Sequence, residues 1–153
     1  MRRTGFTILE LMVVIVIIGV IAMIGFPRIK NAIQKTNVRS ARVATATFIA
    51  TARQAAIQRG CRGVVHFSSG ASGTVWVTVC PRMSATGSGT IDTVGVVNAM
   101  AQLYGVTMSA SLDSVQFDPR GLSLTGAQSS VAFLGSDGTR DSVLINQIGK
   151  VVH

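Results

Sequence analysis

Few side chains in this sequence combine a reactive type with a useful spacing. Glu10 is the first. It interrupts a run that is otherwise apolar: from Leu11 to Phe26 there is no polar side chain, and from Phe6 onward only Thr7 and Glu10 break the pattern. A carboxylate on a lipid-facing helix costs several kcal/mol unless it is neutralised or paired. Cys61 and Cys80 are the only thiols. An even count of this kind pairs in an oxidising compartment and stays reduced in the cytosol. His66 falls in a strand-like stretch and His153 at the end of the sequence, with no spacing that suggests a metal site. No Ser/His/Asp arrangement or phosphate-binding glycine loop is present, and Asp118 and Arg120 flank Pro119, where a turn accounts for them. We therefore expect no catalytic residue, no metal and no cofactor. What remains is one buried charge and one possible cross-link.

The elements that must position these groups follow from periodicity. The twenty-one residues Phe6 to Phe26 would make about 31 Å of helix at ~1.5 Å per residue, which matches a bilayer core of roughly 30 Å. A cleavable secretory signal needs a shorter apolar core followed by a small-residue site. Here Pro27, Arg28 and Lys30 follow instead. Pro27 lacks an amide donor and is expected to bend or loosen the helix. Beyond it, Ala41, Ala44, Phe48, Ala52 and Ala55 recur at three- and four-residue spacing, an apolar stripe narrow enough for a sheet to lie close against it. Gly60 supplies the stop.

After Gly60 the texture changes to two-residue alternation. Val64 to Phe67 and Thr74 to Val79 read as a hairpin around residues 68–73. Pairing Phe67 with Thr74 would set Cys61 opposite Cys80, close enough for a disulfide. Two buried free thiols are the alternative. Trp76 is expected to fill the core between sheet and helix. Pro81 to Thr93 reads as a loop, and Val94 to Tyr104 as either a short helix or an irregular excursion. Val106 to Met108, Val115 to Phe117 and Leu122 to Leu124 look like short strands, with a tight turn at Asp118-Pro119-Arg120-Gly121. Val131 to Leu134 and Ser142 to Ile148 form a last hairpin around Ser136-Asp137-Gly138. The expected fold is α+β: a long N-terminal helix, hydrophobic and then amphipathic, packed on a small antiparallel β-sheet head.

Charge adds a second constraint. The net charge is +8, and no acid occurs between Leu11 and Ile91, where Arg28, Lys30, Lys35, Arg39, Arg42, Arg53, Arg59 and Arg62 all lie. A helix of one sign can meet anionic headgroups, nucleic acid or an acidic subunit, or it can simply be solvated.

The segment Gly5-Phe6-Thr7-Ile8-Leu9-Glu10, with Arg2 and Arg3 before it, the apolar run after it and then Pro27, resembles the type IV pilin superfamily. The resemblance implies a leader over residues 1–5, cleaved between Gly5 and Phe6 by a prepilin peptidase, with N-methylation of the new Phe6 amine. It further implies a transmembrane and assembly half over residues 6–26, a periplasmic stalk over 27–60 and a β-rich head over 61–153. Loss of Arg2 and Arg3 would bring the net charge to +6. In a bundle of such helices, Glu10 of one subunit can meet the Phe6 amine of its neighbour, and a buried pair of that kind fixes axial register.

Arg28, Lys30 and Lys35 outnumber the basic residues at the other end of the span, so charge alone slightly favours the opposite orientation. The cytoplasmic N-terminus and periplasmic head rest on the resemblance. Ala52-Arg53-Gln54-Ala55-Ala56, the ending at Arg59-Gly60, and Phe117-Asp118-Pro119-Arg120-Gly121 resemble the GspH/FimT group of pseudopilins and minor pilins. The implied partners are the prepilin peptidase, other pilin or pseudopilin subunits and the inner membrane. Some members of that group bind DNA through basic residues near the C-terminus. Here Arg120, Arg140 and Lys150 are the candidates, with a single lysine in the tail Gly149-Lys150-Val151-Val152-His153. An unprocessed single-pass protein with a periplasmic binding domain is the remaining rival, and it leaves Gly5-Phe6 and Glu10 as coincidences.

Overall fold

A computed structural model describes residues 7–80 and 91–152. Gly5, Phe6, most of the expected loop after Pro81, and His153 lie outside them. Helix α1 runs without interruption from Ile8 to Arg59, 52 residues or ~78 Å at the usual rise, with Pro27 inside it. Proline removes one donor, yet the helix continues through it. The helix ends at Gly60, which adopts the left-handed conformation (φ 63°) and bonds back to the carbonyls of Ala56 and Ile57.

Among the described residues, the antiparallel β head divides into two four-stranded sheets. The first takes β1 (Gly63–Ser68), β2 (Thr74–Val79), β3 (Asp92–Ala99) and, after a five-residue helix α2 (Met100–Tyr104) and β4 (Val106–Ala110), β5 (Ser114–Phe117). Its spatial order is β3-β2-β1-β5. The second sheet orders β4, β6 (Ser129–Gly135), β7 (Arg140–Ile145) and β8 (Val151–Val152). The uncertain stretch from Val94 to Tyr104 is therefore the end of a strand followed by one helical turn and a half. Leu122 to Leu124 is no strand; only Ser123 bridges to Phe117. The last hairpin strand stops at Ile145, and residues 146–149 turn the chain back into β8.

Both sheets rest their inner faces on the second half of α1. Val65, Phe67, Val75, Val77, Val79, Val115 and Phe117 come from one sheet, and Val106, Met108, Val131, Phe133, Val143 and Ile145 from the other. Each fully buried Val, Met or Phe contributes roughly 1.5–3 kcal/mol relative to exposure. The helix meets them with Val38, Ala41, Thr45, Ile49, Ala52, Ala55 and Ala56. The stripe is thus rotated from the expected one: Thr45 takes the buried place expected for Ala44, and Phe48 sits half-covered at the margin. Thr45 was passed over because a hydroxyl reads as polar, yet its methyl and small volume suit a close contact.

Gly63 shows how close that contact is. A Cβ there would stand 2.5 Å from the Ala52 carbonyl oxygen and 3.1 Å from the Ala56 Cβ. Small residues on both sides let β1 cross the helix almost backbone to backbone.

The β1–β2 register differs by one residue from the expected pairing. Phe67 opposes Val75, and Gly63 opposes Val79. Opposed residues in an antiparallel pair share a face, so buried Val65 and Phe67 must face buried Val77 and Val75. A slip by one would set Phe67 against the half-exposed Thr74.

Candidate functional site

The candidate residues lie at separate places along the rod and on the head. At the N-terminal end, Thr7 caps α1 in an extended conformation (φ −84°, ψ 151°), and its hydroxyl oxygen accepts the Glu10 amide at 3.2 Å. Thr7-Ile8-Leu9-Glu10 has the spacing of a capping box, a Ser or Thr followed three residues later by Glu, and this signal was readable in the sequence but missed. Glu10 consequently sits in the first helical turn, near the partial positive charge of unpaired amides. Its side chain is exposed, as are those of nearly all residues from Ile8 to Ile33. Phe26, at the far end of the apolar run, is 76% exposed. Among the described residues, no part of the head covers this half, and α1 is long and apolar enough here to cross a membrane.

At the other end of the rod, Cys61 and Cys80 form a disulfide with their Cα atoms 6.1 Å apart. The bond forms although the two residues are not a ladder pair. The Cys80 amide donates to the Arg62 carbonyl, so Arg62 is the residue opposite it. Cys61 has already left the ladder at the turn after Gly60, which swings its Cβ across to Cys80. The cross-link therefore ties the helix end to the outgoing end of β2.

Trp76 is not in the core between sheet and helix. It alternates with buried Val75 and Val77, so it stands on the outer face, where its ring stacks on His66 with centroids 4.9 Å apart and planes 10° from parallel. His66 Nε2 shares a 2.7 Å hydrogen bond with the Thr78 hydroxyl, and partial burial holds its pKa below the ordinary histidine value. Among the described residues no group of three His, Cys, Asp or Glu is placed to hold a metal ion.

Of the basic candidates, Arg140 stands apart, whereas the Arg120 turn and Lys150 both lie beside Arg53. Arg120 is engaged within its own turn: the Asp118 carboxylate accepts from the Arg120 side chain and amide, each at 2.9 Å, and from the Leu122 amide at 2.8 Å. These hydrogen bonds, led by that from Leu122, hold Asp118 below the usual carboxylate range. The same turn presses Gly121 against Ile57 and Arg53 on α1. Lys150 shares a shallow depression of about 260 Å³ with Arg53. Arg140 lies at the opposite end of β7, paired with Leu134, about 20 Å from the Asn146 turn at the usual strand rise. Arg53, one of a run of like cations in the sequence, touches the Arg120 turn at Gly121 and lines the depression with Lys150.

Residues 1–26 match the family model described as the prokaryotic N-terminal methylation motif. Among solved structures, the fold is similar to the type IV minor pilin FimU of Pseudomonas aeruginosa in two crystal forms. One aligns with a TM-score of 0.58 at 14% identity, covering 77% of this chain and 88% of FimU. The other gives 0.53 at 14% identity, covering 74% and 90%. No curated protein matches the sequence.

Proposed function

We propose that this chain, type IV pilin-like in its N-terminal motif and in its fold, is a minor pilin or pseudopilin subunit that works by entering a filament. In this reading a prepilin peptidase cuts between Gly5 and Phe6, and the new Phe6 amine is methylated. The apolar half of α1 then holds the subunit in the inner membrane, N-terminus in the cytoplasm and head in the periplasm, until assembly. The filament is a type II secretion pseudopilus or a type IV pilus.

The observation that carries this reading is the naked first half of α1. None of the described head residues covers Ile8 to Ile33, so that much apolar surface calls for lipid or for the helices of neighbouring subunits. Glu10 supplies the register. In lipid its carboxylate is held in the first helical turn, and in the filament it would pair with the Phe6 amine of an adjoining copy. An apolar helix alone slides freely along its neighbour, whereas one buried charge pair sets a single axial position.

The test is Glu10→Ala in the native host. The variant should enter the membrane at the normal level and fall by at least about tenfold in the sheared filament fraction, one lost pair being worth 1.4 kcal/mol or more. Intact mass of the same material reads out cleavage and methylation. Normal filament content for the variant would remove Glu10 from the mechanism, and a mature chain beginning at Met1 would remove the processing step.

A further inference from the structure

Between the apolar run and the first residue that the head covers lies a short bare length of helix. Pro27 to Ile33 are all exposed, and Gln34 is the first side chain to become half-buried. These seven residues span about 10 Å. The headgroup layer on one side of a bilayer is about 5–8 Å thick, the difference between the full and hydrocarbon thicknesses halved. The bare length is therefore what a rod needs to pass through the headgroups before meeting its head.

Its composition suits that layer. Phe26, Pro27, Ile29, Lys30 and Ile33 line a shallow, almost wholly apolar groove of about 350 Å³. Arg28 and Lys30 leave the helix on different sides of it. The ion pairs among the described residues are Arg42–Asp141, Arg59–Asp92 and Arg120–Asp118, so none involves Arg28, Lys30 or Arg39. The acids at this end of the head are already engaged. Asp141 pairs with Arg42, and Asp137 accepts from the Thr139 amide at 2.9 Å and its hydroxyl at 2.7 Å, with Lys35 nearby. Arg140 adds a further cation at the start of β7. The end of the molecule that faces the span thus carries an excess of unpaired positive charge beside an uncovered apolar groove. Neither feature serves the fold.

We propose that residues 26–33 form a binding collar for anionic glycerophospholipid, in which Arg28 and Lys30 hold the phosphate groups and the span-side end of the groove, at Phe26 and Ile29, meets the first methylenes of an acyl chain. The inference rests on the membrane-anchor reading above. Interfacial segments that combine apolar side chains with lysine and arginine bind anionic surfaces in this way. It also accounts for cations on the translocated side of a span, where they oppose the usual charge bias and require some other use. The collar would hold the head upright at the membrane surface, with the unassembled subunit at a fixed depth.

The full chain in lipid nanodiscs provides the test, with spin-labelled phosphatidylglycerol and phosphatidylcholine compared as probes of the lipid next to the protein. The expected result is about a fivefold preference for phosphatidylglycerol at low salt, since one cation near an anionic surface is worth about that factor. The preference should fall toward unity in 1 M salt, where charges more than about 3 Å apart are screened. The double variant Arg28→Gln/Lys30→Gln should lose most of it, and Arg28→Lys/Lys30→Arg should keep it. Equal association of the two lipids with the unaltered chain, or a preference unchanged in the glutamine variant, overturns the inference and leaves these cations to an acidic protein surface. A chain that never enters the nanodiscs overturns the anchor reading and the collar together.

Discussion

The two halves of α1 belong to one unbroken helix and yet are chosen by different rules. From Val38 to Ala56 each inward position is small or β-branched and meets a named strand, with Gly63 set against Ala52 and Ala56 as the tightest case. From Ile8 to Ile33 the side chains are larger, more apolar and almost all exposed. Internal packing explains the second half and says nothing about the first. A residue in the first half is there for what surrounds the molecule, and substitutions should separate the two halves cleanly.

The largest separation is expected from Phe117→Ala against Ile17→Ala, with melting of the head followed in detergent on the full chain. Phe117 is fully buried at the end of β5, and its loss should cost about 3–5 kcal/mol. Ile17 is 52% exposed on the bare half, and its truncation should shift the same transition by less than about 0.5 kcal/mol. A comparable loss from both would mean that the bare half folds against the head after all.

The disulfide comes next. Cys61→Ser with Cys80→Ser removes a link across a sequence separation of 19 residues, which should lower the stability of the head by about 3 kcal/mol. Ellipticity from the apolar half of α1 should be unchanged, and a loss of helix there would blur the division between the halves.

The smallest effect sits on the outer face of the first sheet. Burial holds the His66 pKa below the ordinary histidine value, so the folded head prefers the neutral ring. Below about pH 6.5 the unfolded chain takes up a proton more readily than the folded one, so stability should decline as pH falls from there toward the lowered folded value. Above pH 6.5 this contribution is flat. His66→Gln should erase that slope in a melting series from pH 7 to pH 5. A slope that persists would belong to other groups.

Much of this architecture was legible from residue types, and the misses have identifiable physical origins. The bare helix, its stop at Gly60 and both hairpins follow from period and turn chemistry. The division of the β head into two sheets could not be read, because strand partners distant in sequence leave no local mark. The one-residue error in the β1–β2 register was avoidable. Pairing Cys61 directly with Cys80 ignored the alternation of Val65 and Phe67 with Val75 and Val77, which allows only the observed parity. The same alternation excludes Trp76 from the core. In the candidate site, Glu10 and the cysteines stood out by type. Thr7 did not, because the reason for its presence is a backbone hydrogen bond, and Arg53 did not, because its neighbours come from other strands.

Strand β3 pairs with β2 on both sides of an interruption: Val94 faces Val77 and Asn98 faces Val75, leaving Gly95, Val96 and Val97 opposite Trp76 alone. Among the described strands it forms one of the two edges of its sheet, β5 being the other. A border broken in its middle offers no continuous row of amides and carbonyls to which another chain could zip. A chain bearing such a margin is steered away from strand addition at that border, the route that leads to amyloid, and in the proposed filament its polymerisation would be left to the rod.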